Sequence, residues 1–193
     1  MKPKSPTGQQ NHDWATTLVA RCLAQGVDHF FVAPGSRCTP LTVAISEFSE
    51  ARVIQHFDER ALAFACLGFG RARHTAAAFV CTSGTAVANA LPAVVEASLE
   101  SVPLLLLTAD RPPELRGTGA NQSIDQQKIF GGYVSWYFDL PCPTESISIR
   151  SIAATVDYAI EQSSLGPVHL NCMYREPFGA AACPLYTSDA ADE

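Results

Sequence analysis

The chain has 193 residues, 47% apolar and only 17% charged, with a formal net charge of −6. That composition excludes a disordered chain and fits one globular domain, long enough to bury about 70% of its unfolded surface. The acidic balance argues against nucleic acid or an anionic membrane as the main partner, so any cationic site must be local.

Seven cysteines, at 22, 38, 66, 81, 142, 172 and 183, form no CxxC pair and have no clustered histidines. Neither a disulfide framework nor a zinc site fits that spacing, and reduced thiols in a cytoplasmic compartment are expected. The opening MKPKSPTGQQNH lacks an apolar signal core, and residues 1–12 are expected to be flexible. No stretch reaches the roughly 18 apolar residues of a transmembrane segment.

Helical spacing of Trp14, Leu18, Val19, Cys22 and Leu23 predicts a first helix, with Asp13 as its N-cap and Gly26 past its end. A buried strand, His29 to Ala33, stops at Pro34-Gly35. The turn Pro34-Gly35-Ser36-Arg37-Cys38-Thr39-Pro40 permits close backbone approach at Gly35 and suits a helix start at Thr39-Pro40. Ser36 and Arg37 then stand beside a helix amino terminus, suited to a carboxylate or phosphate, unless Arg37 is merely a solvated loop residue.

A short extended run, Arg52 to Gln55, leads through His56-Phe57-Asp58-Glu59-Arg60 into an uncharged apolar helix. Glu59 would open that helix. The helix dipole favours its ionised form and apolar burial the protonated form; if burial wins, it is an acid able to release a proton near neutral pH. The alternative is a capping carboxylate with a surface salt bridge to Arg60.

A third strand, Ala76 to Cys81, runs into Thr82-Ser83-Gly84-Thr85, a turn of small and hydroxyl residues that either walls a ligand or packs helix on strand. No phosphate-loop pattern is present. One Ala- and Val-rich helix is expected from Thr85 to about Glu100. A leucine-rich strand, Pro103 to Thr108, precedes Asp110-Arg111-Pro112-Pro113-Glu114, where consecutive prolines stiffen the loop around Arg111. Arg111 is free for a ligand or linked to Asp110 or Glu114. Beyond Gly117, Gly119, Asn121 and Gln122 come a short helical piece, a strand from Tyr133 to Leu140, a helix from Ile147 to Gln162 and a strand from Pro167 to Cys172.

This alternation predicts an α/β fold: a six-stranded, mostly parallel sheet with helices on both faces, over residues 13–180. Residues 181–193, ending PLYTSDAADE, are expected to be a linker or a non-native tail.

Five blocks, APGSR-TPL at 33–41, HFDER at 56–60, TSGTAVAN at 82–89, TADRPPEL at 108–115 and Asn121-Gln122, together resemble the thiamine-diphosphate-dependent 2-succinyl-5-enolpyruvyl-6-hydroxy-3-cyclohexene-1-carboxylate synthases. The likeness covers residues 12–179 and departs from the family at Cys38, where serine is usual. Members are much longer, so the resemblance implies their amino-terminal, pyrimidine-binding domain alone.

It further implies decarboxylation of 2-oxoglutarate and 1,4-addition of the succinyl-semialdehyde unit to isochorismate in menaquinone or phylloquinone biosynthesis. Glu59 would hydrogen-bond the cofactor's aminopyrimidine and shift it toward the imino form, with Pro34, Thr82, Ser83 and Gly84 around it. Ser36, Arg37, Arg111, Asn121 and Gln122 would hold the polycarboxylate substrates. Mg²⁺ ligands are expected in a later domain, since no Gly-Asp-Gly…Asn segment occurs, and the site is expected between subunits of a homodimer or homotetramer. The chain alone is then an inactive half-site. Rival readings are another thiamine-diphosphate decarboxylase or carboligase domain, and a non-catalytic anion- or partner-binding module.

Overall fold

Leucine, valine and phenylalanine fill both faces of the strands, and a sheet so composed is stable only with helices on each side. The computed structural model describes residues 6–179. Its strands are β1 (His29–Val32), β2 (Arg52–Gln55), β3 (Ala78–Cys81), β4 (Leu104–Asp110), β5 (Trp136–Leu140) and β6 (Pro167–Met173), all parallel and ordered β2-β1-β3-β4-β6-β5. Helices α1 (Pro6–Ala24), α2 (Thr39–Ser46) and α6 (Ile149–Gln162) bury Leu18, Ile45 and Val156 against one face. On the other lie α3 (Glu59–Arg73), α4 (Thr85–Ala88) and α5 (Leu91–Leu99), burying Leu62, Val87 and Val94. Alternate residues serve the two cores: Leu105 and Leu107 of β4 face the first, Leu104 and Leu106 the second.

Several boundaries differ from expectation, each for a local reason. Helix α1 begins at Pro6 rather than Asp13, so residues 6–12, expected to be flexible, are helical; Asn11 is buried and its amide donates to the carbonyls of Arg175 (2.7 Å) and Pro177 (3.1 Å). The helix expected over 85–100 is two, because Pro92 lacks an N–H and crowds the carbonyl a turn earlier. Strand β4 extends through Asp110, which is buried within it. Residues 117–130 form turns instead of a short helix, and β5 starts at Trp136 after a 3-10 turn at Gly131–Tyr133. The expected tail at 181–193 lies outside the described residues.

From β1 the chain turns to β2 on one side, then crosses back to β3 on the other. Such a reversal leaves a crevice outside the carboxyl ends of the two strands, where open α/β sheets bind ligands. Edge strand β2 is solvent-exposed along its whole length. Six described cysteines are free and buried, and burial pushes their thiols up, Cys22 to about 12 and Cys142 to about 11. No helix of the described residues is long and apolar enough to cross a membrane.

Two glycines of α3 separate propensity from packing. A Cβ at Gly70 would strike the Pro103 carbonyl oxygen, whereas one at Gly68 meets open space. Gly70→Ala should destabilise the fold by about 1–3 kcal/mol despite alanine's helix preference, and Gly68→Ala should stabilise it by about 0.5–1 kcal/mol. Urea unfolding of the two variants checks this, and equal signs would contradict it.

Candidate functional site

The crevice is built from two turns pressed together. Gly35, after β1, packs so tightly on Thr82, after β3, that a Cβ would overlap the threonine side chain. A 3-10 turn at Ser36–Cys38 follows, and the Cys38 thiol donates to the Gly35 carbonyl at 3.1 Å. Thr39 Oγ1 donates to the Ser36 carbonyl at 2.7 Å, and Pro40 starts α2 as expected. Pro34 and Ser36 are exposed and line a groove of about 1260 Å³ between β1, β2, α2 and residues 176–179.

Arg37 is not a solvated loop residue. It is 5% exposed, donating Nη1 to the Tyr174 carbonyl (2.9 Å) and Nη2 to Glu176 Oε1 (3.0 Å), with the Phe178 ring 4.6 Å from Cζ.

Glu59 is the first residue of α3, and Asp58 is the N-cap, accepting from the Ala61 N–H at 3.0 Å. The carboxylate of Glu59 points back across the crevice to Asn89 at the end of α4, whose amide donates to Oε2 at 3.3 Å. Among the described residues it has no other hydrogen-bond partner, so Oε1 is available to a donor. It is close enough to β3 to add, after burial and beside Cys38, to the upward push on the Cys81 thiol. The dry environment expected from the apolar helix is not there: Glu59 is half-buried, because the apolar stripe turns inward only from Leu62. The adjacent Phe57 is 85% exposed, and Phe64, further along α3, is 41% exposed.

Beyond β3, the turn Thr82-Ser83-Gly84 is latched to the loop after β4. Gly84 has φ +83, open to glycine at little strain, and a Cβ there would meet the Gln122 side chain. Ser83 Oγ donates to the Gln122 carbonyl (3.1 Å), Gln122 Nε2 to the Ser83 carbonyl (3.0 Å), and the Arg111 guanidinium to Ser83 Oγ. Arg111 is therefore tied to the β3 turn through its side chain, and Asp110 takes only its backbone N–H, at 2.7 Å. Gln122 holds φ +57, an uncommon state for a residue with a Cβ, of the kind stored at functional sites. Asn121, beside it, is exposed.

Beneath this lies a polar cluster that the sequence reading missed. Gln126, 1% exposed, accepts from the Gly84 N–H (3.1 Å) and donates to the Ala109 carbonyl (3.0 Å) and to Asn171 Oδ1 (2.7 Å). Asn171 Oδ1 also accepts from Thr108 Oγ1 (3.1 Å), and its amide donates to Asp110 Oδ2 (2.8 Å) and Asp139 Oδ1 (2.7 Å). Arg116 bridges the same carboxylates at 3.1 and 3.2 Å. Burial pushes the Asp110 carboxyl up, against these donors. With the Thr108 hydroxyl given to Asn171, His169 Nε2 must carry the hydrogen it donates to Thr108 Oγ1 at 2.7 Å, leaving a buried Nδ1 without a partner. The signal was present: Thr108 and Asp110 on β4, and His169 and Asn171 on β6, are polar residues two apart in leucine-rich strands.

The arrangement thus unites Ser83, Gly84, Arg111 and Gln122, sets Thr82 on Gly35, and places Glu59 across from Asn89. Arg37 hydrogen-bonds none of these side chains and pairs with Glu176. A carboxylate with a free oxygen at a parallel sheet's carboxyl edge can accept a hydrogen bond from a ligand's N–H. Among the described residues no three His, Cys, Asp or Glu side chains are grouped as metal ligands.

The family model for the thiamine pyrophosphate enzyme N-terminal TPP binding domain matches residues 13–129, and the chain belongs to that family. It is 58% identical over 167 residues to a 2-succinyl-5-enolpyruvyl-6-hydroxy-3-cyclohexene-1-carboxylate synthase of Salinibacter ruber, covering 85% of this chain and 28% of that protein. A Rubrobacter xylanophilus protein of the same name is 56% identical over 175 residues, 89% of this chain and 30% of the relative. The chloroplastic protein PHYLLO of Arabidopsis thaliana is 48% identical over 170 residues, 86% of this chain and 10% of that one. The chain therefore spans under a third of the length of these curated relatives.

Burial draws the His169 imidazole down to about 3, since protonation would put an unpartnered N–H in the core. The folded state stays neutral while the unfolded chain binds a proton below about 6.5, so stability falls as pH drops through that window, by about 2 kcal/mol at pH 5 from this group. Proton NMR at pH 5 should show a neutral His169 ring beside a charged His12, whose pKa Glu47 raises; a His169 signal titrating near 6.5 in the folded protein would contradict it.

Proposed function

We propose that this chain is the pyrimidine-binding part of a thiamine-diphosphate-dependent transferase that decarboxylates 2-oxoglutarate and adds the succinyl-semialdehyde unit to isochorismate in a 1,4 sense, in menaquinone or phylloquinone biosynthesis. The observation that carries it is Glu59, held by Asn89 at the crevice, in a chain similar over 85–89% of its length to proteins named for that product. Thiamine diphosphate, when bound, supplies the electron sink that decarboxylation of a 2-oxo acid requires.

Glu59 hydrogen-bonds the aminopyrimidine through its free oxygen and exchanges a proton with a ring nitrogen. Asn89 fixes the carboxylate's rotamer. Pro34, Thr82, Ser83 and Gly84 wall the ring; the Ser83 hydroxyl, already shared by Arg111 and the Gln122 carbonyl, keeps that wall rigid. Ser36, Arg37, Arg111, Asn121 and Gln122 recognise substrate carboxylates and hydroxyls, the arginines by bidentate pairing. The diphosphate and its Mg²⁺ are held by groups outside the described residues.

Glu59 needs a drier surrounding than this chain gives it. Exposed Phe57 next to it and Phe64 further along α3 offer apolar surface to a second subunit, which supports a homodimer or homotetramer with the site between subunits. Free, buried thiols support a reducing, cytoplasmic location.

A chimera in which this chain replaces the matching segment of the Salinibacter ruber protein tests the reading. It should consume isochorismate with 2-oxoglutarate, and Glu59→Gln should lower its rate about 10²–10⁴-fold with the circular dichroism spectrum unchanged. The chain alone should not turn over. An unchanged rate in Glu59→Gln, or turnover by the isolated chain, refutes the assignment.

A further inference from the structure

Arg37 presents an unusual combination of a buried cation and an easily replaced counter-ion. Its side chain is 6% exposed, whereas that of Glu176, its ion-pair partner at 3.0 Å, is 67% exposed. Nη1 is spent on the Tyr174 carbonyl, a fixed backbone group whose own N–H donates to the Asp110 carbonyl at 3.2 Å. Nε is buried and has no partner among the described residues. Nη2 is therefore the position that can donate to a different oxygen in place of Glu176 while the Tyr174 contact is kept.

A second observation concerns charge. Arg37 lies near enough to Arg111 to disfavour its charge, after burial, while Glu176 favours it. Asp110, the other nearby carboxylate, is committed to Arg116, Asn171 and the Arg111 N–H. Two partly desolvated guanidinia thus lie near one exposed glutamate, which among the described residues hydrogen-bonds only Arg37. Glu176 also lines the groove of about 1260 Å³ with Ser36 and Phe178, so a solute in that groove meets the ion pair at its glutamate.

We infer that Glu176 is a resident carboxylate that keeps the Arg37 site in order and is exchanged for a carboxylate of an incoming polycarboxylate ligand. This rests on the assignment of Arg37 and Arg111 as carboxylate-binding and adds how their site is held ready. The exchange favours ligands with two carboxylates: a monocarboxylate only replaces Glu176 at Arg37, whereas a dicarboxylate also neutralises Arg111.

The test is an NMR titration of the ¹⁵N-labelled chain with 2-oxoglutarate at constant ionic strength, following the Arg37 Nε–Hε signal. Removing a competing exposed partner should tighten binding roughly two- to fivefold in Glu176→Gln, and Arg37→Met should abolish it. If Arg37→Met does not fold, Arg37→Lys replaces it, keeping the charge and losing the fork, and should weaken binding. Equal or weaker binding in Glu176→Gln, with dependence on Arg37 retained, overturns the exchange and leaves the carboxylate assignment standing. Binding indifferent to Arg37, or absent from both proteins, overturns the two together.

Discussion

The site depends on the side-chain amide of Asn171. It stands fully buried on β6, between β4 and β5, and it makes four hydrogen bonds: two accepted, from Thr108 and Gln126, and two donated, to Asp110 and Asp139. Through Gln126 it reaches the Gly84 turn, through Asp110 the loop bearing Arg111, and through Asp139 the strand outside it. A hydrophobic residue could fill the same volume, but it would take one hydrogen-bond partner from each of Asp110, Asp139, Thr108 and Gln126, a penalty enlarged by the low dielectric around them. The ligand-facing turns are positioned to that extent from below, by a group no ligand touches.

The two ends of the crevice are built on different principles. At the β3 turn Ser83 and the Gly84 N–H are paired with other polar groups of the chain, and even the strained backbone of Gln122 is over-determined by its exchange with Ser83. Near Glu59 the chain is open, with a single hydrogen bond at 3.3 Å and apolar side chains facing solvent. One wall of the crevice is thus closed by the chain's own hydrogen bonds, and the other is left open.

Periodicity made the sheet legible in the sequence, because strands buried on both faces carry unbroken apolar runs and their helices carry caps at recognisable places, as at Thr39-Pro40 and Asp58. Candidate residues were legible as well, since Gly35, Ser36, Glu59 and Ser83 fall where strands end. Two kinds of information were not. Helix limits set by side chains distant in sequence, such as Asn11 holding Pro6–Ala24 to the segment after β6, leave no local mark. Nor does the choice of partner: Arg111 has acidic neighbours on both sides in sequence and bonds Ser83, and Arg37 pairs with a glutamate 139 positions away.

The buried thiols have a practical consequence. Cys22, Cys38, Cys66, Cys81, Cys142 and Cys172 are spread over both cores, and all are held in the unreactive protonated form by burial. An alkylating reagent can reach them only when the surrounding layer opens, so the rate at which each is labelled measures how often its part of the molecule comes apart. The sequence thereby carries six internal clocks, three of which sit on the strands β3 and β6 or in the turn after β1, where loosening would also unmake the crevice.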